Sequence, residues 1–355
     1  MKKLNNIVKK SLIAGAAILA ATGVNAGNED RVGSAGATEL LINPWARSLG
    51  AGSSGISYVN GLEATYTNIA GLAFTDKTEI KFNYTNWLGG AGINVNSAGI
   101  AQRISDQDVI AVSIQSFGFG EIDITTVDLP EGGIGTFTPR YNIFNVGYAR
   151  EFSNSIYGGI NLKVINESIA NLKATGVAID AGIRYVTGER DQIKFGIALK
   201  NVGPTMRFKG DGLATQVNYI ETGRSATTEQ RSASFEMPSS LNIGASYDFL
   251  FGERNKLIVA ASFQANSFST DQYALGLDYG FTAEKAAFGI RAGYVVEKNS
   301  FSKTARTNAL TGLTAGASVD VLVGKNKSAI GIEYAVRLSS PFGPIHTIGA
   351  TISLK

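Results

Sequence analysis

The residues that most often carry enzyme chemistry are nearly absent from this chain of 355 residues. It has one histidine, His346, and no cysteine. Cysteine-based zinc sites, cysteine nucleophiles and clustered histidine ligands are therefore excluded. A Ser-His-Asp arrangement would need His346, which lies near the start of the last predicted strand. The run 50–55 (GAGSSG) matches the G-x-G-x-x-G pattern, but no strand–helix unit surrounds it. We predict that the protein is not an enzyme and has no catalytic, cofactor-binding or metal site.

The N-terminus has the pattern of an export signal. Four lysines within residues 2–10 precede the apolar stretch 11–22, and Val24-Asn25-Ala26 offers an A-x-A-like cleavage site. The apolar stretch is shorter than the roughly 20 residues that a membrane-spanning helix requires. Residues 1–26 are therefore predicted to be a signal peptide. Without them the net charge changes from +3 to about −1, so the basic whole-chain pI does not indicate nucleic-acid binding.

After the first quarter of the chain, apolar and polar residues alternate with the period of two that is typical of β-strands. In the first such segment, Ile80, Phe82 and Tyr84 alternate with polar neighbours. The predicted strands are about 79–88, 93–104, 107–117, 140–151, 155–166, 173–187, 191–202, 239–250, 254–266, 270–282, 285–298, 309–324, 327–339 and 345–355. An even number of strands of this length is typical of a bacterial outer-membrane barrel. The predicted fold class is all-β, a transmembrane antiparallel β-barrel of about 14 strands.

The connections that follow the even-numbered predicted strands are all short. The long ones, about 118–139, 203–238 and 299–308, all fall at the same end of the predicted barrel. Outer-membrane barrels have short periplasmic turns and longer outer loops. We therefore predict that the long connections face the cell exterior and that the protein lies in the cell outer membrane.

The polar faces of the predicted strands carry charges of both signs, which would point into the lumen. A buried charge requires a partner, so a paired network that fills the lumen is the simpler interpretation. An ion-selective pore is the alternative, but the two signs are nearly equal in number. The predicted lumen charge network comprises Glu79, Lys81, Asp180, Arg184, Arg291, Glu333 and Arg337.

Residues 27–78 contain no alternating strand. They carry apolar residues such as Leu40, Trp45 and Leu62, which is too many for a disordered tail. We predict that they form a periplasmic cap or a plug inserted into the barrel. The predicted domains are thus a signal peptide (1–26), a plug or cap segment (27–78) and a transmembrane β-barrel (79–355).

Two stretches of this segment, 46–52 (ARSLGAG) and 61–73 (GLEATYTNIAGLA), resemble the N-terminal signature of the PorV/PorQ family, which belongs to the FadL-like outer-membrane barrels. Ile69 stands where the usual Asn-Pro-Ala-Gly-Leu has its proline. Segments 117–121, 199–204 and 237–244 are also similar to PorV-type segments. The matching residues of the plug motif are Arg47, Gly50, Asn68, Ala70, Gly71 and Leu72.

The resemblance implies a fourteen-stranded barrel and two functional branches. PorV-like proteins serve the type IX secretion system, where they receive secreted cargo from the translocon and hold it at the cell surface. FadL-like relatives carry hydrophobic small molecules through the outer membrane. A third interpretation is a structural barrel that supports another outer-membrane complex.

The first long connection is rich in apolar residues, which usually mark an interaction site when they are exposed. The candidate partner-binding residues are Phe117, Phe119, Ile122, Ile124, Leu129 and Phe137. Alternation at 122–124 also suggests a strand whose edge could accept an incoming β-strand. The same residues could instead pack over the barrel as a lid. The predicted partners are outer-membrane lipid and either translocon subunits or secreted cargo, with no nucleic acid.

Overall fold

The computed structural model describes residues 27, 29–219, 224–302, 308–324 and 326–355. The predicted signal peptide lies outside these residues. No helix in the described part of the chain is long and apolar enough to cross a membrane.

Fourteen antiparallel strands form a closed barrel, in which the last strand pairs with the first from Thr78↔Leu354 to Asn86↔His346. This confirms the predicted fold class and strand number. In chain order the barrel strands are β1 Thr78–Trp87, β2 Ile93–Arg103, β3 Asp108–Gly118, β4 Arg140–Ser153, β5 Ile156–Ile169, β6 Leu172–Thr187, β7 Ile193–Val202, β8 Ser240–Phe251, β9 Asn255–Asn266, β10 Gln272–Thr282, β11 Ala286–Glu297, β12 Gly312–Val323, β13 Ser328–Arg337 and β14 Ile345–Leu354. Because the barrel is closed, no barrel strand has an unpaired edge. The backbone N–H and C=O groups of such an edge would have no hydrogen-bond partners in lipid.

The alternation in the sequence becomes an inner and an outer face. Along β6, Asp180 and Arg184 point inward and are buried, whereas Ile179 and Ile183 are exposed on the outer face. Successive side chains of a strand point to opposite sides, so this pattern follows from the period of two. The outer face is therefore suited to lipid and the inner face to polar contacts.

The two ends of the barrel differ in the length of their connections. One end has the short turns 104–107, 154–155, 188–192, 252–254, 283–285 and 324–327. The other end, which we call the long-loop end, bears the connections 119–139, 203–239 and 298–311. This asymmetry is the one predicted from the sequence, and it is why we expect the long-loop end to face the cell exterior.

Residues 29–77, which we call the N-terminal segment, run through the barrel interior in short helical turns. These are Glu29–Arg31, Thr38–Leu41, α1 (Ala46–Gly50), Gly55–Ser57, Gly61–Thr65 and Ile69–Phe74. The segment forms hydrogen bonds or ion pairs with β1, β5, β6, β8, β12 and β13, that is, around the circumference. Its side chains Trp45, Leu49, Leu62 and Leu72 are at most 2% exposed. That the segment closes a pore stays a prediction.

Candidate functional site

The first long connection forms a small hairpin at the long-loop end. Ile122–Asp123 pairs with Thr136–Phe137, and the amide of Ile124 donates to the carbonyl oxygen of Gly135 at 2.8 Å. This pair of strands is separate from the barrel sheet, so each strand has one edge without a partner strand. We call residues 119–139 the apolar hairpin.

Aliphatic side chains of the apolar hairpin project into solvent. Ile122 and Ile124 are each 42% exposed, Ile134 is 51% exposed, Leu129 53% and Val127 99%. Five aliphatic side chains on one loop form a larger apolar surface than the isolated exposed residues of an ordinary protein surface. The structure thus leaves Ile122, Ile124 and Leu129 available to a partner.

The longer hairpin of the next long connection is a useful contrast. It pairs Ala214–Tyr219 with Arg224–Glu229, and its strands consist mostly of Thr, Ser, Ala, Asn and Gln. Val217 is its one exposed large aliphatic side chain among the described residues, at 38% exposure. Apolar exposure is therefore a property of the apolar hairpin and not of every outer connection.

The apolar hairpin is also acidic. Its charged residues are Glu121, Asp123, Asp128 and Glu131, and it contains no lysine or arginine. All four carboxylates are exposed. The surface of the apolar hairpin is therefore both apolar and negatively charged.

Aromatic residues fix the base of the hairpin. Phe119 packs edge-on against Tyr141 with 4.8 Å between ring centroids, and Phe137 is half-buried. Phe117 is only 2% exposed, because it points inward from β3 into a cluster with Val95 and Ile143. Contrary to expectation, Phe117 is therefore not accessible to a partner; it ties the strand to the interior.

Arg47 and Gly50 of the plug motif lie on α1 and join it to the barrel wall. The Arg47 guanidinium contacts Asp320 of β12 at 2.6 Å and Glu333 of β13 at 3.0 Å. The hydroxyl of Thr314 donates to the carbonyl oxygen of Gly50 at 3.0 Å. A Cβ at Gly50 would lie only 3.0 Å from the Cα of Gly316, so this close approach requires glycine.

Asn68 and the three residues Ala70, Gly71 and Leu72 lie on the opposite side of the interior. The Asn68 amide nitrogen donates to the carbonyl oxygens of Ile56 at 2.9 Å and Ile183 at 3.1 Å, while its side-chain oxygen accepts from the Ala70 amide. Asn68 thus caps the turn Ile69–Phe74 and ties it to β6 without the proline of the usual motif. Ala70 and Leu72 are fully buried, and Gly71 leaves room for the Arg184 guanidinium.

The structure brings together part of the predicted charge network. Lys81 contacts Glu63 and lies 3.0 Å from Glu333 and 3.8 Å from Glu79, and Arg47 joins Glu333 from the other side. Asp180 instead pairs with Lys163 at 2.6 Å, and Arg291 with Asp278 at 2.9 Å. These pairs are separate from the cluster around Lys81.

Two members of the predicted network have no carboxylate partner among the described residues. Arg184 donates to the side-chain oxygen of Asn60 at 2.6 Å and to the carbonyl oxygen of Val59, and lies 4.9 Å from the Phe74 ring. Arg337 makes a single hydrogen bond, to the hydroxyl of Ser53 at 3.2 Å. Both guanidiniums are at least nine-tenths buried.

Glu63 and Asn201 are important residues that the sequence interpretation did not single out. Glu63 lies at the centre of the cluster around Lys81 and also accepts from the Ser48 amide at 2.8 Å. Asn201 accepts from Lys163, its backbone amide donates to Asp180, and its side chain donates to the carbonyl oxygen of Pro238 at 3.0 Å. Asn201 thereby joins segments 199–204 and 237–244. Both segments resemble PorV-type segments, and this resemblance is the sequence signal that could have identified Asn201.

A second acidic pair lies toward the long-loop end of the interior. Glu39 of the N-terminal segment and Glu167 of β5 are 4% and 5% exposed, and each has a carboxylate oxygen without a hydrogen-bond partner. Burial and the nearby Glu167 raise the pKa of Glu39 from 4.5 to about 8. Glu39 is therefore expected to hold a proton at neutral pH.

The single histidine lies away from any cluster of catalytic type. His346 is exposed at the start of β14, where its Nδ1 shares a hydrogen bond with the hydroxyl of Tyr334 at 2.7 Å. In the described part of the chain, no three histidine or acidic side chains are grouped so as to hold a metal ion. The predictions that the chain lacks catalytic, cofactor and metal sites stay predictions.

Solved structures with the same fold cover most of the chain. A deltaS2 mutant of the monoaromatic hydrocarbon channel TodX is 12% identical, with a TM-score of 0.55 over 88% of this chain and 98% of that one. The Pseudomonas putida toluene transporter TodX gives a TM-score of 0.55 at 11% identity, over 88% and 98%. A Pseudomonas aeruginosa FadL homologue gives 0.53 at 12% identity, over 86% and 96%. These likenesses show the fold class, a closed β-barrel like those of the TodX channel and the FadL homologue.

Sequence comparison identifies the family. The model of the family described as "Type IX secretion system protein PorV" matches residues 25–272, and the chain therefore belongs to the PorV family. The protein is an outer-membrane barrel of type IX secretion, as the resemblance implied. The comparison with curated protein sequences gave no match.

Proposed function

We propose that this barrel holds a protein of the secretion pathway, either secreted cargo or a translocon subunit, at its long-loop end, with the apolar hairpin as the main contact. The observation that carries the proposal is the cluster of exposed aliphatic side chains on a loop whose base is fixed to the barrel. Ile122, Ile124 and Leu129 are each between 42% and 53% exposed. Exposing apolar surface to water is unfavourable in free energy, so burying these side chains against a partner is favourable.

The form of the hairpin indicates how a partner binds. The strand Ile122–Asp123 has one edge without a partner strand, and an edge of this kind can accept an extended segment through backbone hydrogen bonds. The aliphatic side chains then supply apolar contacts, and the four carboxylates favour a segment with basic residues. The partner that fits best is an extended or β-strand segment carrying both apolar and basic side chains.

Transport of hydrophobic small molecules, the alternative implied by the FadL-like fold, needs a continuous apolar path. The interior instead carries buried ion pairs, including Lys81 with Glu333 at 3.0 Å and Lys163 with Asp180 at 2.6 Å. Moving an apolar solute past these groups would require them to separate or to be bypassed, and breaking a buried pair is costly. This favours the partner-holding function over transport.

The double variant Ile122→Ser, Leu129→Ser tests the proposal. Purified from native membranes through an affinity tag, it should recover at least about fivefold less partner protein than the unchanged barrel, because central apolar contacts dominate most interfaces. Val217→Ser, in the polar hairpin, is the matched control and should recover the normal amount. Heat-modifiable mobility on gels verifies that each barrel is folded.

Two outcomes would contradict the proposal. In the first, the double variant recovers partner protein normally and its uptake of a hydrophobic substrate is unchanged. In the second, partner recovery is normal while uptake of a hydrophobic substrate such as toluene falls, in which case the transport function takes precedence.

A further inference from the structure

Arg337 is a buried cation whose hydrogen-bonding capacity is mostly unused. It lies at the long-loop end of β13 and is 6% exposed. Among the described residues, its guanidinium makes one hydrogen bond, to the Ser53 hydroxyl, and its Nε has no partner. No carboxylate of the described residues forms an ion pair with it, in contrast to Lys81 and Arg291. A guanidinium has five N–H donors, and burying an unpaired charge is costly.

A cavity of about 430 Å³ adjoins this guanidinium. It lies between the N-terminal segment and the strand ends of the barrel wall at the long-loop end. Arg337 is the only charged residue among those described that line it. The space is comparable to sites that hold small organic molecules. No carboxylate is among the described residues that line the cavity.

The rest of the lining combines two kinds of side chain. Ser53, Asn242 and Gln264 offer hydroxyl and amide groups, whereas Leu41, Trp87 and Leu310 offer apolar surface. An inorganic anion would use the first kind only. A molecule with a carboxylate, an amide and an apolar group would use all of them, and the planar fork of arginine matches a carboxylate with two parallel hydrogen bonds.

We propose that this cavity binds a small organic carboxylate of the N-acyl amino acid type, with Arg337 as the group that contacts the carboxylate. The site is distinct from the apolar hairpin and does not depend on the function proposed for it. The ligand would also join the N-terminal segment to β13, because Ser53 and Arg337 both line the cavity.

Trp87 provides a direct measurement. The chain has two tryptophans, Trp45 and Trp87, and only Trp87 lines this cavity. The purified full-length protein in a non-ionic detergent is titrated with hippurate, and the tryptophan fluorescence is recorded. We expect a saturable change with a dissociation constant of about 1 mM or tighter, which is the range for a ligand of this size. Hippuramide has the same shape but no charge, and should bind at least about tenfold more weakly.

Variants assign the binding to Arg337. Arg337→Gln should weaken hippurate binding about tenfold or more, and Arg337→Lys should retain part of the affinity, because it keeps the charge and loses the fork. Arg150→Gln, at the short-turn end, is the matched control and should bind normally. The double variant Ile122→Ser, Leu129→Ser should also bind hippurate normally, so failure of this site and failure of the partner-holding function are distinguishable.

The site would be overturned if hippurate caused no saturable fluorescence change up to about 10 mM, which is beyond the affinity range expected for its size. Equal affinity for hippurate and hippuramide would also overturn it. So would an unchanged hippurate affinity in a folded Arg337→Gln variant. If Arg337→Gln fails to fold, the comparison of hippurate with hippuramide on the unchanged protein still decides the question.

Discussion

Charged residues inside this barrel are held in separate groups. Lys81 is surrounded by three carboxylates, whereas Arg184 and Arg337 have none among the described residues. A buried pair contributes little net stability, but the loss of one partner leaves an uncompensated charge. These groups therefore fix the position of the N-terminal segment in the barrel more than they stabilise the fold as a whole.

Glu39 is expected to make the stability of the protein depend on pH. Burial and Glu167 raise its folded-state pKa to about 8, against about 4.5 when unfolded. The folded state thus binds a proton more tightly, and its stability falls as pH rises between these two values. Glu39→Gln removes this titration, so between about pH 5 and about pH 9 the variant should gain roughly 4 kcal/mol relative to the unchanged protein. Urea titration of the protein folded in lipid vesicles measures the difference.

The matched control for this prediction is Glu121→Gln, which changes an exposed carboxylate of the apolar hairpin. It should follow the unchanged protein at every pH. If the difference in free energy of unfolding between the Glu39→Gln variant and the unchanged protein is the same at every pH, Glu39 does not hold its proton in the folded state.

In the barrel strands, the alternation of apolar and polar residues determines whether a side chain points inward or outward. This holds even where an aromatic residue at a strand end would suggest the opposite direction. Trp87 and Phe117 lie near the outer ends of β1 and β3, where aromatic residues of such barrels often face the membrane interface. They are 7% and 2% exposed, because their positions are out of phase with the exposed Tyr84 and Ile114. Phase counted from the middle of a strand therefore predicts orientation better than the type of residue at its end.

Substitutions on β8 test this phase. Ile243 is 44% exposed on the outer face, whereas Asn242 is 3% exposed and lines the interior cavity. Arginine on the lipid face near the bilayer midplane costs roughly 2–4 kcal/mol in such barrels. Ile243→Arg should therefore lower the free energy of unfolding by about this amount, and by more than Asn242→Arg does. The measurement is a urea titration after refolding into lipid vesicles.

Asn242 immediately precedes Ile243 on β8, so the comparison controls for position along the strand. Equal losses in the two variants, or a larger loss for Asn242→Arg, would mean that β8 faces lipid with its other side.

At the scale of the whole molecule, the barrel and the N-terminal segment depend on each other. The segment contacts strands around the circumference, and its residues Arg47, Glu63 and Asn68 complete hydrogen bonds and ion pairs of the wall. Buried residues of the segment, such as Trp45 and Leu62, cluster with inward-facing residues of the wall such as Ala101 and Val109.

Deletion of residues 27–77 with the signal peptide retained tests whether the segment closes a pore. We expect the deletion variant to have a higher single-channel conductance in planar bilayers, because the groups that occupy the lumen are removed. The full-length chain, purified in the same detergent, is the control, and heat-modifiable mobility verifies that both barrels are folded. An unchanged conductance in a folded variant would mean that the barrel is blocked elsewhere.

The sequence by itself determined the barrel. The period of two predicts which side chains face lipid, the number of alternating segments predicts the strand number, and the spacing of the connections predicts which end bears the long loops. These features are local, since each strand carries its own pattern and neighbours along the chain pair in order. The same alternation applies to charged positions such as Lys81 and Asp180, which are buried in the structure.

Only the tertiary structure decided which charges meet. Lys81 pairs with Glu63, Asp180 with Lys163, and Arg337 with no carboxylate of the described residues, and no periodicity predicts these outcomes. The partners come from strands on different sides of the barrel and from a segment without periodic structure. Their distances depend on barrel closure and on the path of residues 29–77 through the lumen. The cavity beside Arg337 exists for the same reason, because it is the space that this path leaves unfilled.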